Sequence, residues 1–150
     1  GKTTLLRAMA GLDGSPGLLA THGVSVSLAL QRAADQLAES TVGDFVASDA
    51  ALARLAELGA DLDPEAHPLD LPAAHLRLAQ LAQVVAQARE LVLLDEPDVG
   101  LDTPNRARAH ALIADALARG AAVILTCHDA SFAAGVGEYA AVAERELDAP

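Results

Sequence analysis

Two acidic residues, Asp95 and Glu96, follow directly after an apolar run at residues 91–94 and stand before Pro97. The run has no polar alternation, which predicts a strand covered on both faces, as in a parallel sheet. Such strands place functional residues at their carboxyl ends. Because two adjacent carboxylates repel each other, their presence at a strand end indicates a cation bound between the protein and a ligand.

The tetrapeptide Gly-Lys-Thr-Thr at residues 1–4 matches the last four positions of a phosphate-binding loop, G-x-x-x-x-G-K-[ST], and a helix is predicted to follow at residues 5–10. In such loops, backbone N–H groups at the helix start bind phosphate, and the lysine reaches the β- and γ-phosphates. The first hydroxyl binds Mg²⁺. Taken alone, the four residues equally fit a solvated lysine at an exposed helix start.

A histidine, His128, follows a second strand that we predict to be buried, at residues 121–126. A helix with Pro104 in its first turn, which Thr103 or Asp102 could cap, ends by Gly120 and separates this strand from the acidic pair. The order strand, helix, strand predicts a right-handed crossover, which places both strand ends at one edge of the sheet. His128 can then reach Asp95 and Glu96. Cys127, beside it, is interpreted as a small apolar filler.

Gln31 stands at the end of another predicted strand, residues 24–30, in which apolar residues alternate with serine and alanine. This alternation predicts a strand with one buried face. Gln31 is then either a polar exit residue or a contact to a metal ion or water. Turn-forming residues at 13–17 and an extended segment at 18–20 are predicted before this strand.

The middle of the chain, from residue 32 to residue 62, is rich in alanine, leucine and scattered acids, and Thr41 is placed to cap a helix. This composition predicts a small helical subdomain. A long helix is predicted at residues 76–89, with apolar residues on two of its sides. We therefore expect a single α/β domain over residues 1–150, with a mostly parallel sheet flanked by helices and a helical subdomain at roughly residues 32–80.

Composition excludes several classes of function. The net charge is −11 and aromatic residues make up 2%, which argues against nucleic-acid binding. The chain has no apolar run near the ~20 residues of a membrane-spanning helix, so we expect it to be soluble. The single cysteine excludes an internal disulfide. Since the chain opens in the middle of a motif, we expect it to be part of a longer protein.

In their order and approximate spacing, these motifs resemble the ATPase domain of ABC transporters, a branch of the P-loop NTPases, over nearly the whole chain. The resemblance implies ATP and Mg²⁺ as ligands and assigns the motifs residue by residue. Gly1, Lys2, Thr3 and Thr4 belong to the ATP-binding Walker A loop, Gln31 to the Q-loop, Asp95 to Walker B, Glu96 to the catalytic carboxylate, Leu101 and Asp102 to the D-loop, and His128 to the switch histidine. Thr3, Gln31 and Asp95 are the implied magnesium contacts, and Glu96, His128 and Gln31 the catalytic group.

One motif departs from the family pattern. The family signature Leu-Ser-Gly-Gly-Gln acts across a dimer, and the matching residues 71–75 are Leu-Pro-Ala-Ala-His. Pro72 has neither a hydroxyl nor an N–H, and alanines replace the glycines that allow close backbone approach. The strand after the turn at residues 11–17 resembles the family's antiparallel β portion.

The resemblance implies an ATP-hydrolysing subunit that powers an ABC transporter. Its implied partners are a second ATPase subunit and transmembrane permease subunits, with no nucleic acid. Its implied location is cytoplasmic, on the inner face of the cell membrane through the permease. Two alternatives stay open: a degenerate nucleotide-binding or structural module of the same fold, and an ABC-type ATPase that does not serve transport. The cargo and the direction of transport are not determined by this domain.

Overall fold

The computed structural model describes residues 1–12, 14 and 22–147, and it contains a parallel sheet flanked by helices. The strands are β1 (Val26–Ala29), β2 (Leu91–Asp95) and β3 (Ala122–Thr126). The helices are α1 (Lys2–Ala10), α2 (Val42–Val46), α3 (Asp49–Glu57), α4 (Ala73–Ala86), α5 (Thr103–Ala118) and α6 (Ala130–Val136), with 3₁₀ turns at Ala33–Gln36 and Pro68–Asp70. The predicted α/β class is confirmed. Except for Gly14, the turn predicted at 13–17 and the extended segment at 18–20 lie outside the described residues.

The three strands pair in parallel in the order β1-β2-β3. In register, Val26 lies opposite Leu91, and Asp95 lies opposite Thr126. All three carboxyl ends therefore meet at one edge of the sheet, the edge where Gln31, Glu96 and His128 follow their strands. All five residues of the central strand β2 are buried, as its continuous apolar run predicts.

Strand β1 differs from its prediction in two ways. It is buried on both faces rather than one, because Leu28 packs with Leu6 of α1 on one side, whereas Ala29 belongs to the core around α4 on the other. Ser27 is also buried. The suggested antiparallel portion is wrong for this strand, since β1 pairs in parallel with β2.

Strand β3 was predicted to be buried, and that prediction is wrong. Val123 and Leu125 pack against the core that includes α5, but Ile124 on the opposite face is 39% exposed. Within the described residues, β3 pairs with β2 on one side only. An apolar sequence gives the tendency to be buried, but the covering element has to be present as well.

Helix α4 begins and ends three residues before the predicted 76–89. It is buried nearly all round because it lies between the sheet and helices α2, α3 and α5. The apolar residues of α2 and α3 join the same core cluster as those of α4 and one face of the sheet. The boundary of a helical subdomain at residues 32–80 stays a prediction.

Two predicted helix caps are confirmed. The Thr41 side chain accepts a hydrogen bond from Asp44 N at 3.1 Å at the start of α2. The Asp102 side chain accepts from Asn105 N at 3.0 Å at the start of α5. Such caps satisfy amide groups that have no partner inside the helix. Among the described residues, no helix combines the length and the apolar character needed to cross a lipid bilayer.

Candidate functional site

Glu96 occupies the first position after β2 and has a left-handed backbone, with φ of 48°. This region is unfavourable for residues other than glycine, and it persists only where the surroundings hold it. Thr126, on the neighbouring strand β3, provides part of that hold. Glu96 N donates to the Thr126 hydroxyl at 3.0 Å and to the Thr126 carbonyl at 3.2 Å. The strained backbone is thereby fixed to the adjacent strand.

The Glu96 carboxylate lies between Gln31 and His128. Gln31 Nε2 donates to Glu96 Oε2 at 2.6 Å, and His128 Nε2 lies 2.7 Å from Glu96 Oε1. The three residues follow β1, β2 and β3 respectively, so each strand contributes one side chain to the cluster. The Glu96 side chain is 13% exposed and that of His128 is 69% exposed. The arrangement presents a largely covered carboxylate whose two oxygens are both contacted by neighbouring side chains.

Asp95, the last residue of β2, is buried directly beneath this cluster. Its side chain is 1% exposed, and Oδ1 accepts a hydrogen bond from the Thr126 hydroxyl at 2.8 Å. Oδ2 is also buried and has no hydrogen-bond partner among the residues that the structure describes. A buried carboxylate oxygen without a partner is costly. It therefore fits a role in holding a cation or a water bound to that cation.

The described residues contain no cluster of three or more histidine, cysteine, aspartate or glutamate side chains that could hold a metal ion. The oxygen donors at this site still fit Mg²⁺, because that ion keeps several waters and is bound by one or two carboxylates together with substrate phosphates. Asp95 and a threonine hydroxyl are donors of the hard oxygen type that Mg²⁺ prefers. The set does not fit a metal that needs a complete cage of protein ligands.

The predicted phosphate-binding residues lie at the start of α1. Gly1 is the residue before the helix and makes no side-chain cap, so the first amides of α1 have no capping side chain. Leu6 anchors the helix on the sheet. Within the described structure, no hydrogen bond or ion pair joins Lys2, Thr3 or Thr4 to Asp95 or Glu96. The structure thus brings together Gln31, Asp95, Glu96 and His128, but it does not bring the loop residues into direct contact with them.

Two further residues at this edge were not predicted. Thr126 was expected only as the end of β3, yet it contacts both Asp95 and Glu96. Arg77 of α4 donates hydrogen bonds to the backbone carbonyls of Asp95 and Glu96. The only signal in the sequence was an arginine in a mostly apolar helix, whose other polar residues are His75, Gln80 and Gln83. Thr126 gave no such signal, since threonine is common in strands.

The segment that carries His128 is held from the α5 side. Asp129 caps α6 by accepting from the Ser131 amide and hydroxyl, and Arg106 of α5 pairs with it at 2.6 Å. The hydrogen bond from the Ser131 hydroxyl, and to a smaller extent the one from Arg106, holds the pKa of Asp129 well below its usual range. Burial raises the pKa of the Cys127 thiol. A thiol in this state is a poor nucleophile, which agrees with the interpretation of Cys127 as a filler.

The residues implied to act across a dimer lie at the starts of α4 and α5. Pro72 is the residue before α4 and provides no side-chain cap. Leu101 is buried, and Asp102 is the exposed cap of α5. Their contact to a second subunit stays a prediction.

Comparison of the sequence with characterised proteins finds ATP-binding proteins of transporters. The chain is 36% identical to the aliphatic sulfonates import ATP-binding protein SsuB 2 of Streptomyces avermitilis, over 97% of this chain and 62% of that protein. It is 34% identical to the protein of the same name from Nocardia farcinica, over 98% of this chain and 63% of that protein. The chain therefore spans less than two thirds of these relatives. No protein-family model matches the chain.

Solved structures of low identity share the fold. The ATP-binding subunit of an ABC transporter superimposes with a TM-score of 0.69 at 16% identity, covering 93% of this chain and 67% of that one. A dimeric post-hydrolysis state of the ATP-binding cassette MJ0796, bound to ADP and Pi, gives a TM-score of 0.57 at 17% identity, covering 77% of this chain and 57% of that one.

Proposed function

Because this chain belongs to the ATPase domains of ABC transporters, which have the P-loop NTPase fold, we propose that it binds ATP with Mg²⁺ and hydrolyses it to power a membrane transporter. The observation that carries the proposal is the Glu96 carboxylate, oriented by Gln31 and His128 directly above the buried Asp95. The four residues have the order and the types that the family uses for hydrolysis.

Each of these residues has a separate task in the proposed reaction. Phosphoryl transfer to water depends on positioning and charge stabilisation, since little covalent work falls to the protein. Glu96 accepts a proton from the attacking water or orients it. His128 contacts the γ-phosphate, and Gln31 responds to its presence through the hydrogen bond to Glu96.

The phosphate charge is met by the start of α1 and by the metal site. Lys2 contacts the β- and γ-phosphates. The backbone N–H groups of Gly1 and of the first turn of α1, which includes Thr4, bind the phosphate oxygens. Asp95, Thr3 and Gln31 would hold Mg²⁺, directly or through water. When bound, this ion neutralises phosphate charge as it develops.

The test of the proposal is Glu96→Gln in the full-length protein, assayed in a mixed dimer with a subunit that carries an intact signature. General-base residues contribute ~10²- to 10⁴-fold to rate, so we expect kcat for ATP hydrolysis to fall by at least ~100-fold while nucleotide still binds. Phosphate release gives kcat, and a fluorescent ATP analogue gives Kd.

Glu65→Gln is the matched control, because Glu65 is exposed, its side chain makes no hydrogen bond or ion pair with Gln31, Glu96 or His128 in the described structure, and the change removes the same charge. It should leave kcat unchanged. Undiminished turnover in the Glu96 variant would refute the assignment of Glu96.

The proposed partners are a second ATPase subunit and transmembrane permease subunits, and the proposed location is cytoplasmic, on the inner face of the membrane. Because Pro72, Ala73 and Ala74 replace the polar and glycine positions of the signature, we propose that this chain completes a partner's site poorly. A partner with an intact signature would still complete the site of this chain. Hydrolysis by a mixed dimer but not by the chain paired with itself is the expected result.

A second candidate is a degenerate module that keeps the fold and binds nucleotide without turnover. The observation that favours it is the start of α4, where Pro72 offers neither a hydroxyl nor an N–H. Absence of hydrolysis by the full-length protein in every dimer tested, with ATP still bound, would select this candidate. A non-transport ABC-type ATPase is the remaining alternative. ATP hydrolysis by a protein that copurifies with no permease subunit would indicate it.

A further inference from the structure

Arg77, in the second turn of α4, is a cation in the middle of the core. Its side chain is 4% exposed, and it takes part in no salt bridge within the described residues. Burial lowers its pKa to about 10, although the charges of Asp95, Asp98 and Glu96 act in the opposite direction. Burying a charge is costly unless hydrogen bonds compensate. The compensating bonds are therefore the informative feature of this residue.

The two terminal nitrogens of Arg77 contact the ends of β1 and β2, two of the three strands that carry the candidate site. Nη1 donates to the Leu30 carbonyl at 2.5 Å, and Nη2 donates to the carbonyls of Asp95 at 2.7 Å and Glu96 at 2.5 Å. Leu30 directly precedes Gln31. One planar guanidinium thus joins the backbone beneath Gln31 to the backbone of the acidic pair.

Gln80, one turn further along α4, adds hydrogen bonds to this network on the β1 side only. Its amide donates to the Leu30 carbonyl at 3.0 Å, and its oxygen accepts from Arg77 Nη1 at 2.6 Å. Gln36 continues the network by accepting from Leu30 N at 2.9 Å. Among Arg77, Gln80 and Gln36, only Arg77 also reaches the end of β2, so its guanidinium adds a backbone link between the two strand ends to the side-chain contact of Gln31 with Glu96.

We propose that Arg77 is a positioning residue for hydrolysis: it fixes the separation between Gln31 and Glu96 and holds Glu96 in its left-handed conformation. The proposal rests on the function proposed above, since it needs Glu96 to act on water. The strained backbone of Glu96, with φ of 48°, requires such support from its surroundings. Without the planar guanidinium, the ends of β1 and β2 lose a shared anchor, and Glu96 is held only by its contacts with Thr126, Gln31 and His128.

The test compares Arg77→Met and Arg77→Lys with the wild type in the full-length protein, each assayed in a mixed dimer with a subunit that carries an intact signature. Misplacement of a reacting group by ~1 Å can cost ~100-fold in rate, so we expect kcat to fall by ~10- to 100-fold in both variants. The KM and Kd for ATP should change by less than about threefold, because the phosphate-binding residues are untouched. Lysine keeps the charge but not the planar fork, so it should restore little activity.

Arg119→Met is the matched control. Arg119 also donates to a backbone carbonyl, that of Val85 at the end of α4, and it is remote from the strand ends. Its loss should lower thermal stability while kcat per folded molecule stays at the wild-type value. This control separates the general effect of losing an arginine–carbonyl bond from an effect on the site.

The possible outcomes distinguish this proposal from the one it rests on. If the wild type does not hydrolyse ATP in any dimer, the proposed function fails, and the role of Arg77 fails with it. If the wild type is active and both Arg77 variants keep its kcat, only the positioning role is refuted. A loss that disappears when kcat is normalised to folded protein also refutes it. Where Arg77→Met does not fold, Arg77→Lys decides, and failure of both to fold rejects a positioning role in favour of a folding role.

Discussion

The Thr126 hydroxyl offers a sharp test of how the acidic pair is held, because Thr126→Val removes the hydroxyl and keeps the shape. The hydroxyl donates to Asp95 Oδ1 at 2.8 Å and accepts from Glu96 N at 3.0 Å. Glu96 N keeps its second acceptor, the Thr126 carbonyl. The main loss is therefore one hydrogen bond to a buried carboxylate whose other oxygen already has no partner among the described residues.

The magnitude follows from that single bond. Hydrogen bonds to charged groups contribute about 1.5–3 kcal/mol, and valine regains a few tenths through its preference for strands, about 0.3 kcal/mol. We expect Thr126→Val to lower the free energy of unfolding by about 2 kcal/mol. With a urea m-value of about 2 kcal/mol/M, the unfolding midpoint falls by about 1 M, and the slope m stays the same.

The assay is urea unfolding of the full-length protein, followed by circular dichroism. Thr126→Ser keeps the hydroxyl and should recover most of the stability. Thr103→Val, at the exposed first position of α5, should stay within about 0.5 kcal/mol of the wild type. If Thr126→Val also stays within that margin, the reasoning that Thr126 stabilises the buried carboxylate of Asp95 is refuted.

Two further predictions concern titratable groups outside the site. Burial, with a smaller effect of Arg106, lowers the pKa of His110 against the opposing charge of Glu138, so the folded state favours the neutral ring. The stability that His110 contributes is fully present above its unfolded pKa of about 6.5 and declines as the pH falls below that value. His110→Phe should therefore reduce the difference between the urea midpoints at pH ~5 and pH ~7.5. An unchanged difference would count against this prediction. Because burial raises the pKa of the half-buried Cys127, iodoacetamide should modify it at least ~10-fold more slowly in the folded protein than in urea, and equal rates would contradict this.

The sequence was sufficient for the features that depend on local pattern. The uninterrupted apolar run before Asp95 predicted the central buried strand, and the order of strand, helix and strand predicted that His128 would lie near Glu96. Both features follow from periodicity and from the geometry of parallel sheets. Residue type alone indicated Thr103 or Asp102 as the cap of α5, and the structure shows that it is Asp102.

The features that the sequence did not predict depend on which elements cover one another. The residues of β3 are as apolar as those of β2, yet Ile124 is exposed because no described element covers that face. Arg77 binds backbone carbonyls, and backbone acceptors are the same for every residue type, so no pairing of side chains in the sequence indicates its partners. The contact between Gln31 and Glu96 likewise depends on strand order.

The open side of β3 has a practical consequence for handling the protein. A strand without a neighbour presents free N–H and C=O groups that can pair with the strand of another molecule, and an exposed apolar side chain such as Ile124 strengthens that association. Since β3 has a neighbour on one side only among the residues that the structure describes, that side offers other copies of the chain a template for aggregation. Measurements of hydrolysis or stability are best checked for dependence on protein concentration.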